Sequence, residues 1–245
     1  MRINRYLARC GIASRRKAET LVRDGRVTKN GEIVRELSTT VEETDRICVD
    51  GEMVSLLSER LLLAYHKPRG LVCSHHDPFG APLIYEQLPQ NKGLFSIGRL
   101  DRDSEGLLLI TNDGNLGHRV AHPSTETEKE YITVLDRPFT ITDAETLTRG
   151  IQVDGTLMRM DAVQYYVANA DDTLWERVLP AWPPSAASSC VVRVVLHEGH
   201  KREIRRLFRA LHYRVRRLIR VRIGRIILGD LLPGAYRPLD GKEEI

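Results

Sequence analysis

Residues 98–114 have the sequence GRLDRDSEGLLLITNDG, a charged loop that leads into an apolar run. The segment from Leu107 to Ile110 is entirely apolar and has the length of a buried strand. Asp101 precedes it and lies between Arg99 and Arg102, at the edge of the predicted core. Loops held on rigid strands often carry reactive side chains. Taken alone, the stretch is also typical of a charged surface turn with internal salt bridges.

Around this stretch, short apolar runs alternate with a few helical patterns. The runs of strand type occur at residues 61–66, 107–111, 131–134 and 191–196. Helical spacing predicts helices at residues 143–149 and 202–211. This pattern predicts a mostly antiparallel α+β domain over residues 61–245. A stretch rich in Pro and Ser, at residues 168–189, is predicted to be a surface loop or a long hairpin.

The first 52 residues predict a separate small unit. Apolar residues that begin at Ile3 have helical spacing, and Ser14 is placed to cap a second helix. The dipeptide Asn30-Gly31 is a strong hairpin signal, so a small sheet is expected to follow the helices. Residues 53–60 have no clear period and are predicted to be a linker.

The composition excludes several classes of protein. With 245 residues, 42% of them hydrophobic and 29% charged, the chain is neither disordered, collagen-like nor a coiled coil. No apolar run has the length that spans a bilayer, and the charged N-terminus does not have a signal-peptide pattern. We therefore expect a cytoplasmic protein that has no contact with membranes.

Metal and redox sites are not expected either. The four cysteines are far apart and form no CxxC pair. His75-His76-Asp77 and the pair His118 and His122 each lack a third ligand at a suitable spacing, so loop polarity is the preferred interpretation. The chain also contains no phosphate-binding loop and no Ser-His-Asp pattern.

Positive charge is concentrated in two segments, although the net charge is only +4. Residues 1–29 contain nine Lys and Arg against two acids, and residues 197–226 contain eleven against two. Such an imbalance is typical of proteins that bind a polyanion. Solvated helix faces are the alternative explanation.

The N-terminal unit resembles the alpha-L RNA-binding module first described in ribosomal protein S-four. The resemblance rests on residues 7–19, 25–27, 30–31 and 45–51. It implies that Arg15, Arg16 and Lys17 bind RNA phosphates at the start of the second helix.

The stretch at 98–114 resembles the catalytic loop of pseudouridine synthases, in the group that contains RsuA, RluB, RluE and RluF. Three further segments match this family in order, at residues 67–70, 128–131 and 198–208. The resemblance covers almost the whole chain apart from residues 168–189. Glu203 stands where many members have Gln, and this acid favours the RluB-like members.

The resemblance implies a catalytic site built around Asp101, as nucleophile or as stabiliser of the detached base. Arg205 is expected to pair with this carboxylate through its planar guanidinium. Tyr131 is expected to stack on the target base. These three residues form the predicted catalytic set.

The resemblance also implies residues that bind the substrate. Ile204 is expected to pack on the base, Lys129 to lie near it, and Arg99 to fill the space that the flipped nucleotide leaves. Arg206 and the arginines that follow it are expected to bind phosphates: Arg209, Arg214, Arg216, Arg217 and Arg220.

The implied function is isomerisation of a specific uridine to pseudouridine in ribosomal RNA, in a hairpin of the large-subunit (23S) rRNA, by a monomer without cofactor or metal. One alternative keeps this chemistry and changes the substrate to small-subunit (16S) rRNA or tRNA. Another is a catalytically silent protein of RNA binding or ribosome assembly. The presence of Asp101, Tyr131 and Arg205 argues against the silent alternative.

Overall fold

A computed structural model describes residues 1–57, 60–89, 93–121, 125–167 and 189–240. Its first unit consists of two helices packed on a four-stranded sheet. The helices are α1 (Ile3–Arg9) and α2 (Arg15–Arg23), and the strands are β1 (Val27–Lys29), β2 (Glu32–Ile33), β3 (Ile47–Val49) and β4 (Glu52–Met53). The sheet order is β2-β1-β3-β4. The predicted helices and hairpin are therefore confirmed.

Two tight turns set the register of this small sheet. Asn30 and Gly31, with φ of 55° and 90°, join β1 to β2, and the dipeptide Asp50-Gly51, with φ of 52° and 85°, joins β3 to β4. Positive φ at both central residues is the type I′ geometry that matches the twist of a hairpin. Met53 pairs with Cys48 in the second hairpin, so β4 extends one residue beyond the predicted boundary at residue 52.

The core of the first unit is small. Ile3, Leu7 and Val22 are fully buried and pack against Ile47. The Ser14 hydroxyl accepts a hydrogen bond from the backbone N–H of Lys17 at 3.3 Å, which is the predicted helix cap. A core of this size gives limited stability but is enough to present a surface.

The rest of the described chain contains eleven strands, three α-helices and one short 3-10 helix (Ile84–Gln87). The strands before residue 140 are β5 (Leu62–Lys67), β6 (Phe95–Ile97), β7 (Glu105–Thr111) and β8 (Lys129–Leu135). The later strands are β9 (Ile151–Val153), β10 (Thr156–Met158), β11 (Ala162–Tyr165), β12 (Val191–Leu196), β13 (Val215–Ile223), β14 (Ile226–Ile227) and β15 (Tyr236–Pro238). The helices are α3 (Gly114–Ala121), α4 (Ile141–Arg149) and α5 (Glu203–Ala210).

Nine of these strands form one sheet. Its main order is β11-β12-β8-β13-β7-β5-β15, with β14 paired to β13 and β6 paired to β7. The β7–β13 pair is parallel, and every other strand pair in the described ranges is antiparallel. The mostly antiparallel α+β prediction is therefore confirmed. The surface loop predicted at 168–189 falls almost entirely outside the described residues.

The two faces of the large sheet pack against different parts of the chain. Helices α4 and α5 pack on one face through Leu147, Leu207 and Phe208, which are fully buried. Alternate residues of β8, such as Ile132 and Val134, belong to the core of the opposite face. None of the helices in the described part of the chain is long and apolar enough to cross a membrane.

The two halves of the sheet meet where β7 and β13 run side by side. Gly106 pairs with Arg220 there and has a φ of 104°. A Cβ atom on Gly106 would lie 2.3 Å from the Arg220 carbonyl oxygen and 2.6 Å from its nitrogen. Both atoms are backbone, so the close approach of these strands requires glycine.

We predict that Gly106→Ala destabilises the protein by on the order of 3 kcal/mol or more, because the new methyl group collides with backbone and the residue is held at positive φ. Gly114→Ala is the control, since nothing lies within 4 Å of a Cβ atom there. Urea unfolding of both variants measures the difference. Equal stabilities would contradict the steric argument.

Candidate active site

The loop at residues 98–104 connects β6 to β7 and is held in place by backbone and side-chain contacts. Gly70 donates its N–H to the Arg102 carbonyl at 2.7 Å, and Arg102 Nε donates back to the Gly70 carbonyl at 3.2 Å. Lys67, at the end of β5, donates from Nζ to the Ser104 carbonyl at 2.8 Å. The segment at 67–70 therefore anchors the loop through hydrogen bonds.

Lys67 is a fully buried cation. Burial lowers the pKa of its ammonium group, and the nearby charges of Glu105, Asp103 and Asp101 oppose that shift. Its hydrogen bonds go to carbonyl oxygens of Ser104 and Pro68. Lys67 thus fixes the backbone of the loop and places positive charge near Asp101, Asp103 and Glu105.

Asp101 is partly accessible, with 34% of its side chain exposed. Its closest cation is Arg202, whose Nη1 lies 3.4 Å from Asp101 Oδ2. Arg202 also donates to both carboxylate oxygens of Asp103, at 3.0 and 3.1 Å. Arg202 has a φ of 54°, a left-handed conformation that is uncommon outside glycine and is often found at functional sites.

The predicted direct pair between Arg205 and Asp101 is not formed. Arg205 Nη2 donates instead to the Asp103 carbonyl at 3.0 Å and to Ser104 Oγ at 3.3 Å, and it lies 3.4 Å from Asp103 Oδ2. Its Nη1 donates to the Val215 carbonyl at 3.1 Å. Because α5 directs Arg205 under the loop backbone, this arginine positions the loop, and Arg202 is the cation that reaches Asp101.

Tyr131 and Ile204 lie on the same face of the large sheet, and their contacts with the target base stay a prediction. Both are buried in one apolar cluster with Leu100, the residue that precedes Asp101. Tyr131 comes from β8 and Ile204 from the first turn of α5, so distant segments form one wall beside the loop. An aromatic and an aliphatic side chain in this arrangement offer apolar surfaces to a planar base.

Lys129 is anchored by backbone carbonyls, and its predicted position near the base stays a prediction. Its ammonium donates to the His197 carbonyl at 2.7 Å and to the Thr127 carbonyl at 3.1 Å, so it ties the start of β8 to the end of β12. Burial and the charge of Arg220 lower its pKa. Arg99 is exposed and makes no hydrogen bond or ion pair to another residue of the described chain, which leaves it accessible to RNA.

The arginines from Arg206 onward differ in exposure and in ion pairing, although all of them are predicted to bind phosphates. Arg206 pairs with Asp154 at 2.6 Å, and Arg217 pairs with Glu105 at 2.9 Å. Arg220 is buried, with only 4% of the residue exposed. Burial makes a surface phosphate role wrong for Arg220. At Arg206 and Arg217, which already have acidic partners, a phosphate role stays a prediction. The exposed members are Arg209, Arg214 and Arg216.

The N-terminal cations are placed as predicted. Arg15, Arg16 and Lys17 form the first turn of α2 and are all exposed. They lie beside free backbone N–H groups of the helix start, where anions bind favourably. Binding of RNA at this turn stays a prediction.

Three side chains in the described ranges have spacing suitable for a metal ion, Glu198, His200 and Glu203. The carboxylate of Glu203 is already used at the start of α5. It accepts a hydrogen bond from the His200 backbone N–H at 2.9 Å, and His200 Nδ1 lies 3.2 Å from its other oxygen. These hydrogen bonds account for the buried acid. Of the histidines considered earlier, His75 stacks on Tyr85 with ring centroids 3.7 Å apart.

We predict that Asp103 stabilises the fold at neutral pH but not in acid. Burial alone would raise its pKa, but hydrogen bonds from Arg202 and the charges of Arg205 and Arg202 bring it below its ordinary value. A carboxyl with a lowered pKa contributes stability above its unfolded pKa of about 3.9 and loses it as the pH falls through the folded value.

Urea unfolding of the parent and Asp103→Asn at pH 6 and at about pH 3 tests this. The parent should be more stable at pH 6, by less than about 1 kcal/mol because the pair is partly exposed. That difference should shrink at the lower pH. A difference that does not depend on pH would contradict the assignment.

Comparison with known proteins places this geometry in a family. Residues 61–210 match the RNA pseudouridylate synthase family, and residues 1–47 match the S4 domain. An RNA pseudouridine synthase of Mycobacterium leprae is 38% identical over 244 residues, which cover 98% of this chain and 89% of the relative. Ribosomal large subunit pseudouridine synthase B of Vibrio cholerae is 35% identical over 250 residues, covering 99% of this chain and 72% of the relative.

A solved structure agrees with these matches. A crystal structure of a pseudouridylate synthase superposes with a TM-score of 0.64 at 29% identity, and the match covers 99% of this chain and 97% of the other. The match includes both units, so the order of module and catalytic domain is shared. The chain belongs to the RNA pseudouridine synthases, with an S4 domain at its N-terminus.

Proposed function

We propose that this enzyme isomerises a specific uridine in large-subunit ribosomal RNA, with Asp101 as the catalytic carboxylate. The observation that carries the proposal is the position of Asp101. It lies on a loop that Arg202, Arg205 and Lys67 hold in place, next to the apolar wall that contains Tyr131. The large-subunit target is supported by the name of the Vibrio cholerae relative.

The reaction requires a break between N1 of the base and C1′ of the ribose, a turn of the base, and a new bond from C5 to C1′. A carboxylate beside the sugar either attacks it or stabilises the state in which the base is detached. Arg202 places positive charge 3.4 Å from that carboxylate, and Asp103 shares the same guanidinium. Tyr131 and Ile204 then provide the surfaces that hold the detached base.

Arg205 acts on this chemistry through the loop. Its hydrogen bonds fix the Asp103 carbonyl and the Ser104 side chain, two and three residues after Asp101. Such control of position matters, because a displacement of about 1 Å in a reacting group can reduce a rate by about a hundredfold. In this proposal Arg205 is a positioning residue.

The RNA has to expose the target uridine before the reaction can occur. A paired or stacked uridine cannot reach a carboxylate on this loop, so the nucleotide is flipped out of a hairpin. Arg99, exposed at the start of the loop, is suited to occupy the space that the nucleotide leaves. We place the enzyme in the cytoplasm as a monomer, with Arg15, Arg16 and Lys17 binding phosphates.

Two alternatives make different predictions. The same chemistry on small-subunit rRNA or tRNA would change the RNA that loses its pseudouridine when the gene is removed. A silent RNA-binding protein would leave every pseudouridine in place. The anchored loop favours an enzyme, because a silent binder has no need for Lys67, Arg202 and Arg205 to hold one short acidic loop in place.

Mapping of pseudouridines in total RNA of cells that lack the gene, complemented with parent or variant, tests both the chemistry and the target. We predict that one site in large-subunit rRNA is lost without the gene and restored by the parent. Asp101→Asn should not restore it, and its single-turnover rate on a hairpin with that site should fall by more than about a hundredfold, because the reacting charge is absent.

Asp103→Asn is the matched control, since it makes the same change in the same loop. It weakens the contacts of Arg202 and Arg205 without touching Asp101, so we expect a loss of about tenfold with the site still restored in cells. A more active Asp101→Asn than Asp103→Asn would overturn the assignment. Loss of a site in another RNA would identify one of the alternative substrates.

The contribution of the S4 domain is tested by replacing Arg15, Arg16 and Lys17 together with Gln. These side chains are exposed and have no side-chain partner among the described residues, so the fold should be retained. We predict weaker hairpin binding and a dependence of log K on log salt that is shallower by about 2, because fewer counterions are released. The single-turnover rate at saturating protein should stay within about twofold. An unchanged salt slope would show that this turn does not contact RNA.

A further inference from the structure

Arg220 is a buried cation that forms no ion pair with an acid in the described ranges of the chain. It lies in the middle of β13, and only 4% of the residue is exposed. Its Nε donates to the Leu107 carbonyl at 2.7 Å, but its Nη2 is enclosed and forms no hydrogen bond within the described chain. The neighbouring arginines of the strand differ, since Arg217 pairs with Glu105 and Arg222 pairs with Glu130.

The strand register directs Arg220 towards the proposed site. It lies directly opposite Tyr131 in the antiparallel pair of β13 and β8, so both side chains leave the sheet on the same face. That face carries the cluster of Leu100, Tyr131 and Ile204. On its other side Arg220 is paired with Gly106, which has no side chain.

A β-bulge follows Arg220 immediately. The register changes from Arg220 opposite Tyr131 to Arg222 opposite Glu130, which leaves Val221 as the extra residue. Bulges occur often beside active sites, where they redirect a side chain. The fold therefore holds this guanidinium in a defined place and orientation.

A buried guanidinium with an unsatisfied N–H is costly unless a partner arrives. The proposed reaction supplies such a partner. When the N1–C1′ bond breaks, its electron pair remains with the base, and the negative charge spreads over N1, O2 and O4. The sugar then bonds to C5, and the proton of C5 is replaced by one on N1, so that no atom or electron is gained or lost.

We propose that Arg220 Nη2 binds an oxygen of the target uracil and stabilises the negative charge on the base while it is detached. This inference rests on the proposed function. Arg220 acts only as a hydrogen-bond donor and transfers no proton to the base. It acts as a fixed donor placed where charge develops, which is the most effective form of electrostatic catalysis.

The test compares two leaving groups in single-turnover reactions. The probe is a synthetic hairpin that carries the mapped target site as either uridine or 5-fluorouridine, and the reaction is followed by loss of the intact nucleotide. Fluorine at C5 withdraws electrons, so the detached base needs less stabilisation. For Arg220→Met we expect a rate loss of about a hundredfold or more with uridine, as for removal of an oxyanion donor, but of less than about tenfold with 5-fluorouridine.

If Arg220→Met does not fold, Arg220→Lys is the second variant that tests the inference. Its shorter ammonium group cannot donate both to the Leu107 carbonyl and to a base, so it should show the same preferential loss with uridine, at about a tenth of the size. Arg222→Met is the control from the same strand. It removes an arginine that already has acidic partners, and any loss there should be equal for the two substrates.

The outcomes separate this inference from the proposed function. Equal losses with both substrates in a folded Arg220 variant would show a merely structural role and overturn the inference, with the proposed function intact. A parent protein that converts neither substrate would instead refute the proposed function. A selective loss with uridine, accompanied by unchanged hairpin affinity, would support the assignment.

Discussion

The parallel contact between β7 and β13 is the constraint on which the rest of the catalytic domain depends. It joins the sheet half that contains β5 and β6 to the half that contains β8 and β12. The contact is close because Gly106 has no side chain, and it places the loop before β7 beside the wall formed by β8 and α5. Asp101, Tyr131 and Arg220 belong to three separate segments of the chain, and this junction brings the strands that follow or carry them into one sheet.

Much of this arrangement could be predicted from the sequence. Apolar runs such as the one that begins at Leu107 indicate buried strands. Ser14 and Asn30-Gly31 indicate a helix start and a tight turn, so the helices and strands around them could be predicted. The resemblance to pseudouridine synthases led to the loop of Asp101 and to Tyr131. These features are encoded in neighbouring residues, which is why a single sequence shows them.

The partners of the arginines could not be predicted in the same way. Which acid Arg217 or Arg222 meets depends on strand register, and the acids are more than ninety residues away in the chain. A dense run of arginines therefore resembled a phosphate surface, although Glu105 and Glu130 neutralise part of it. Likewise, the left-handed conformation of Arg202 has no local signal, so the exchange of roles between Arg202 and Arg205 became visible only in three dimensions.

The anchoring of the loop before β7 has a consequence for biosynthesis. The loop at 98–104 is held by Arg205, and β7 is paired with β13, so contacts that span about a hundred residues complete the site. Non-local contacts of this kind form late and slow the folding of a domain. While the chain is being synthesised, the loop emerges long before its anchor does. The nascent enzyme therefore stays inactive until β13 has left the ribosome that makes it.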